Sequence, residues 1–151
     1  MMVRRRRAFS TRWLRGFIVA SCAAGTACIS PTDTAPEGRD VRGTWRYTAV
    51  QGAPAATLMG NLVLSEQSGS SFSGRLDVQE TDAVGVQRTR AGAAAGHALD
   101  DASVDFDAFL DATPRRHVAR VSGDTMSGTW IQPADRTGFA GTFRAVRVES
   151  R

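Results

Sequence analysis

The 151 residues include 19 basic side chains, all arginine, against 15 acids, for a formal net charge of +4, and only two cysteines. A chain of this length builds one small domain, and two cysteines exclude a disulfide-rich scaffold. Six of the arginines fall within the first 28 residues, leaving 13 against 15 acids, a net −2. The basic balance therefore belongs to the leader and gives no support to nucleic-acid binding.

Met1 to Arg15 holds Arg4, Arg5, Arg6, Arg7, Arg12 and Arg15 and no acid, and Gly16 to Ala27 is apolar or small. The apolar run is too short to span a bilayer as a helix. A basic segment followed by a short apolar one has the layout of a cleaved export signal. At its end, Gly25-Thr26-Ala27-Cys28 resembles the lipobox of bacterial lipoproteins. There, small residues precede a cysteine that is acylated and becomes the new N-terminus. Val19-Ala20-Ser21-Cys22 also fits the pattern, but it leaves only about six residues of apolar run where about seven to fifteen are usual. Cys28 is the preferred lipidation site of residues 1–28 and Cys22 the alternative. Cleavage after Ala27 to a soluble secreted protein, or an uncut anchor, are the competing readings.

Residues 29–40, ISPTDTAPEGRD, combine prolines, acids and small polar residues without periodicity, the composition of a flexible tether. Ile29, not Asp, follows Cys28, which resembles the lipoproteins sorted to the outer membrane. The expected location is the cell envelope, at the outer membrane facing the periplasm, with the membrane engaged through the lipid anchor. With Cys28 acylated, the mature domain has no thiol, so a disulfide, a Cys-based zinc site and thiol catalysis are excluded.

Residues 41–151 are the folded domain. Val41, Gly43, Trp45 and Tyr47 alternate with Arg42, Thr44, Arg46 and Thr48, the period of a half-buried strand. Seven more such segments are predicted, roughly at 58–66, 71–80, 84–99, 103–110, 115–122, 125–132 and 138–148. Gly, Pro, Asp and Ser clusters separate them, and no helical period is found after residue 30. Glycine recurs in phase with the apolar face at Gly43, Gly60, Gly74, Gly128 and Gly141. Glycine weakens a strand unless curvature needs the space, so the pattern predicts a sheet closing on itself. The expected fold is all-β, an eight-stranded antiparallel up-and-down barrel.

Gly43-Thr44-Trp45 at the head of eight such strands resembles the calycins, the lipocalins, fatty-acid-binding proteins and avidins. Lipocalins pair a Gly-X-Trp on the first strand with an arginine near the last. By that resemblance Arg147, in phase with Phe139, Gly141 and Phe143, is the partner of Trp45. The resemblance implies a calycin-like barrel with Gly43, Trp45, Gly74, Gly128 and Gly141 as structural positions. It does not carry biotin binding, since Tyr47 and Leu76 stand where avidins place polar contacts, and the lipocalin cysteine pair is absent.

Catalysis lacks its parts. There are two histidines, no Gly-X-Ser-X-Gly elbow and no glycine-rich phosphate loop, and neither a metal nor a cofactor is expected. His97 shares phase with Ala95 and Leu99, and His117 with Ala119 and Val121. Two readings are open for them: a lumen pair that holds a metal or a ligand carboxylate, or strand ends in solvent. Asp105, Asp107 and Asp111 alternate with apolar residues and form a solvated face, which Arg115 and Arg116 meet in cross-strand pairs. An eight-stranded barrel is either filled or holds one small ligand. The expected function is binding of a small apolar or amphipathic ligand, with Tyr47, His97, Trp130 and Arg147 lining the site. The alternative is an envelope structural or interaction lipoprotein with a filled core. An enzyme is not expected.

Overall fold

The computed structural model describes residues 38–133 and 138–148; Cys22, Cys28 and most of the predicted tether lie outside the described residues. Eight strands follow one another: β1 (Gly43–Gln51), β2 (Ala56–Ser68), β3 (Ser71–Asp82), β4 (Gln87–Ala98), β5 (Ser103–Leu110), β6 (Thr113–Ser122), β7 (Thr125–Gln132) and β8 (Phe139–Arg147). Each pairs antiparallel with its neighbours in sequence, and β8 returns to β1 with Trp45 opposite Arg147 and Gln51 opposite Gly141. The ring is therefore a closed up-and-down barrel.

Period-two patterning produces this directly. Trp45, Tyr47 and Ala49 face in while Arg46 and Val50 face out; Leu58, Leu62 and Leu64 face in while Met59, Asn61 and Val63 face out. Exposed arginines stand on the outer face at Arg46, Arg75, Arg116, Arg120 and Arg144. They share that face with exposed Val50, Met59, Val63, Val118 and Ile131, so the outer surface is mixed in polarity.

Curvature comes from glycine. A Cβ on Gly60 would overlap the Asp77 carbonyl on β3, and one on Gly74 would overlap the Val63 carbonyl on β2. Gly128 and Gly141 stand in the same relation to Val118 and Val50. At these corners the neighbouring strand comes so close that no side chain fits. Gly43 differs from the other four. It is exposed, a Cβ there would meet only the Arg147 guanidinium at 3.4 Å, and its φ of +122° is what selects glycine.

Strand β4 departs from the sequence reading. The predicted segment 84–99 begins only at Gln87, because Val84-Gly85-Val86 is a turn folded over Asp82, whose Oδ1 accepts from the Val84 and Val86 amides (3.1 and 2.9 Å). Its buried phase runs through Ala94 and Ala98, so His97 faces outward and Leu99 lies exposed beyond the strand end. The run Ala91-Gly92-Ala93-Ala94-Ala95-Gly96 has no apolar–polar contrast from which to read a phase. β4 pairs with β3 over Gln87–His97 but with β5 only over Ala94–Ala98, so the β3–β4 hairpin projects beyond β5.

The two ends of the barrel differ. At one end Trp45 is fully buried and donates from Nε1 to the Val41 carbonyl (2.9 Å). The Arg147 guanidinium covers it, 4.4 Å from the ring centroid, and Nη2 donates to the Asp40 carbonyl (3.2 Å). That end is closed. The middle is filled by rings: Phe106 stacks on His117 at 4.3 Å, Tyr47 stacks on Phe143 at 5.5 Å, and Phe143 meets His117 edge-on at 5.0 Å. At the other end, where the β1–β2, β3–β4 and β5–β6 turns gather, the described residues leave the barrel open.

Candidate functional site at the barrel mouth

The open end holds a cavity of about 440 Å³, within the ~300–1,000 Å³ of small-molecule sites. Ala56, Leu110 and Phe139 supply apolar wall, and Pro54, Ala55 and Val84 the rim. Three charged side chains stand at its inner wall: Glu80 from β3, Arg90 from β4 and Arg115 from β6. Strand phase puts them there. Glu80 continues the inward series Leu76, Val78, and Arg115 begins the inward series His117, Ala119, Val121. Near a barrel mouth an inward position still reaches water, so a charged side chain is tolerated if it is paired.

The pairing is tight but uneven. Arg90 grips Glu80 with two donors, Nε to Oε2 (2.8 Å) and Nη2 to Oε1 (3.2 Å), and donates from Nη1 to Asp111 (2.6 Å). Arg115 reaches the same Glu80 with Nη2 (3.2 Å) and Gln132 with Nε (3.1 Å). Its guanidinium lies over Trp130, 5.0 Å from the ring centroid. Glu80 is only 8% exposed and Arg115 only 5%. Burial pushes the Glu80 carboxyl up, but the hydrogen bonds and charges of Arg90 and Arg115 outweigh it and hold the group below the usual range, hence ionised. Among the described residues, Arg115 Nη1 and Trp130 Nε1 are buried donors with no acceptor.

None of the four residues expected to line a ligand site borders this cavity. Tyr47 is in the filled middle, its hydroxyl 3.0 Å from His117 Nε2. Trp130 is in the core under Arg115, and Arg147 seals the opposite end over Trp45. His97 is on the outer surface, so the two histidines do not share a lumen site. Among the described residues no cluster of three or more His, Cys, Asp or Glu side chains could hold a metal. Arg115 also departs from expectation. Arg116 does approach Asp105 on the outer face (3.8 Å), but Arg115 points the other way, into the barrel. The signal that would have found the mouth was present: Glu80, Arg90 and Arg115 are charges lying in phase with buried neighbours.

His117 is fully buried, and its tautomer follows from its partners. Nδ1 lies 2.8 Å from the Arg115 carbonyl, which can only accept, so Nδ1 carries the proton and Nε2 accepts from the Tyr47 hydroxyl. Burial is the main cause that lowers its pKa to about 4, and raises that of Tyr47, so both are neutral at pH 7.

No known protein-family profile matches the chain, and no curated protein matches it in sequence. Solved structures do resemble it in shape. EF1p2_mFAP2b bound to DFHBI has a TM-score of 0.59 at 15% identity, over 71% of this chain and 93% of that one. The redesigned β-barrel mFAP1, also bound to DFHBI, has a TM-score of 0.54 at 16% identity, over 70% and 94%. A de novo designed fluorescence-activating β-barrel has a TM-score of 0.53 at 14% identity, over 71% and 93%. The likeness is one of fold. It establishes the eight-stranded barrel type and carries no residue role across.

Proposed function

We propose that the chain is an exported, lipid-anchored barrel of the cell envelope that binds one small amphipathic molecule in its mouth. The observation that carries the reading is the cavity of about 440 Å³ at the open end, with apolar wall above a buried set of charged side chains. Binding pockets combine apolar surface with a few placed polar groups in this way. The shape-related barrels bound to DFHBI support the same reading, because they hold a small molecule on a similar scaffold. The absence of a nucleophile–base pair in the sequence favours binding over catalysis. The basic leader, the short apolar run and the lipobox-like Gly25-Thr26-Ala27-Cys28 support export and anchoring at the outer membrane, facing the periplasm.

Native mass spectrometry of the protein isolated from an envelope fraction tests the binding function. A bound small molecule that leaves on denaturation is the expected result. A clean apo mass, unchanged after exposure to a lipid extract, would move the function to a second reading, an interaction lipoprotein. The ring-filled middle of the barrel favours that second reading. Anchoring is tested separately: Cys28→Ala should abolish acylation and membrane retention, and retention in that variant would assign the anchor to Cys22 or to an uncut leader.

A further inference from the structure

We infer that the molecule bound in the mouth is uncharged and carries a polar head that both donates and accepts a hydrogen bond, as a carboxamide does, held by Gln51 and Gln132 while its apolar part lies along Leu110 and Phe139. The inference rests on the reading of the mouth as a small-molecule site and adds the chemistry of its occupant.

The ions at the mouth are matched among themselves. Arg90 holds Glu80 and Asp111, Arg115 shares Glu80, and Arg88 lies 3.5 Å from Asp82. Three cations thus stand against three anions, each with a partner of opposite sign. Arg115 Nη1 and Trp130 Nε1 lack acceptors, but both atoms are fully enclosed by protein, so nothing in the cavity reaches them. A charged occupant would give up its hydration and find no free counter-ion in exchange, which is costly. An uncharged one of the same size loses far less.

The polar groups left over are neutral. Gln51 and Gln132 stand in the inward phase of β1 and β7, and both line the cavity. They flank β8, where Gln51 lies opposite Gly141 and Gln132 opposite Phe139. Their partners fix how each amide is turned. Gln51 Nε2 donates to the Pro54 carbonyl (2.7 Å), which only accepts, so the Gln51 oxygen is the end left over. Gln132 Oε1 accepts from Arg115 Nε (3.1 Å), which only donates, so the Gln132 nitrogen is the end left over. Among the described residues neither Gln51 Oε1 nor Gln132 Nε2 has a hydrogen-bond partner, and neither is enclosed as Arg115 Nη1 is. One wall therefore offers an acceptor and the other an N–H donor. Strands two places apart stand about 10 Å apart, a gap that a small polar head can bridge between two long side chains. A carboxamide brings the complementary donor and acceptor, and Phe139, on the strand between the two glutamines, supplies apolar surface beside them.

The test uses naphthalene-2-carboxamide, naphthalene-2-carboxylate and 2-naphthylmethylammonium, which share an apolar body and differ in the charge of the head. Each is titrated calorimetrically, at neutral pH, into the protein isolated from cells expressing the full chain. The expected result is that the carboxamide binds at least about tenfold more tightly than either ion. In ¹⁵N spectra the Gln132 side-chain amide resonances should move as it binds. Equal or tighter binding of either ion would overturn the inference and leave the binding function standing. Failure of all three probes to bind would overturn both. Gln132→Glu keeps an acceptor for Arg115 but replaces the amide donor with a negative oxygen. In this variant the carboxamide should bind about fivefold more weakly, the scale of one hydrogen bond, and the ammonium probe more tightly. A carboxamide affinity that is unchanged would remove Gln132 from the role and overturn the inference. If Gln132→Glu does not fold, the comparison of the three probes on the unaltered protein still decides the matter.

Discussion

Acid should unfold this barrel through His117 before most of its carboxylates are protonated. The ring is fully buried, stacked on Phe106, and held neutral with pKa lowered to about 4 from a reference of 6.5. In the unfolded chain it titrates near 6.5, so between the two values the unfolded state holds the extra proton. A depressed histidine therefore contributes stability that is complete above about pH 6.5 and is lost as pH falls toward 4. The drop from 6.5 to about 4, at ~1.4 kcal/mol per pH unit, corresponds to about 3 kcal/mol. Urea unfolding followed by the fluorescence of buried Trp45 and Trp130, at several pH values from about 7 to about 4, measures the loss. His117→Gln is the control. It keeps a donor for the Arg115 carbonyl and an acceptor for the Tyr47 hydroxyl but cannot take up a proton. The unaltered protein should lose about 3 kcal/mol more than the variant across this window. Parallel curves for the two would refute the argument, since the loss would then belong to groups that both share.

Three other perturbations test the packing. Trp45→Ala should cost about 3–5 kcal/mol, the scale of emptying a large buried ring; a loss below about 1 kcal/mol in denaturant titration would remove Trp45 as the anchor of the closed end. Gly74→Ala should cost about 1–3 kcal/mol or more, because the added methyl overlaps the Val63 carbonyl on a strand that cannot withdraw; thermal unfolding at the native midpoint would show that the corner does relax. Glu80→Ala should cost about 3–5 kcal/mol, since it strips the almost fully buried Arg115 of its carboxylate and leaves Arg90 with Asp111 alone. That loss should shrink in the Glu80→Ala, Arg115→Met double variant, and strict additivity would mean the pair does not interact.

The barrel is legible in the sequence because its strands alternate cleanly and its corners are marked. Trp45 and Tyr47, or Leu62 and Leu64, can be read as inward from their neighbours alone. The glycines at 60, 74, 128 and 141 mark close approaches that only a strongly curved sheet makes. Phase also brings Arg147 onto Trp45. The same rule fails on β4, where alanine and glycine occupy both faces and phase alone sets His97 beside Leu99 on the wrong side. At the mouth the rule holds against composition. Arginine is expected in water, which favours an outward Arg115, yet its parity with His117 and Val121 points inward. What no sequence pattern conveys is that Glu80, Arg90 and Arg115, far apart along the chain, meet around one carboxylate. That meeting depends on closure and register, not on any local signal.

The pairing of β1 with β8 has a kinetic meaning. Seven of the eight ladders join strands adjacent in sequence, and each can form as a local hairpin. The eighth joins Trp45 to Arg147 and is extended by the Val148 amide, which donates to the Thr44 carbonyl (2.8 Å). It must bring together segments separated by nearly the whole domain, so it carries the largest loop-closure entropy and should zip last. Until it does, both outer strands present open hydrogen-bonding edges to other chains, and once it has, neither edge remains. A circular permutant that links the two ends and opens the chain at the exposed Gly123 turn would turn this slow seam into a hairpin. The late, long-range closure would pass to β6 and β7, with the barrel and its mouth unchanged.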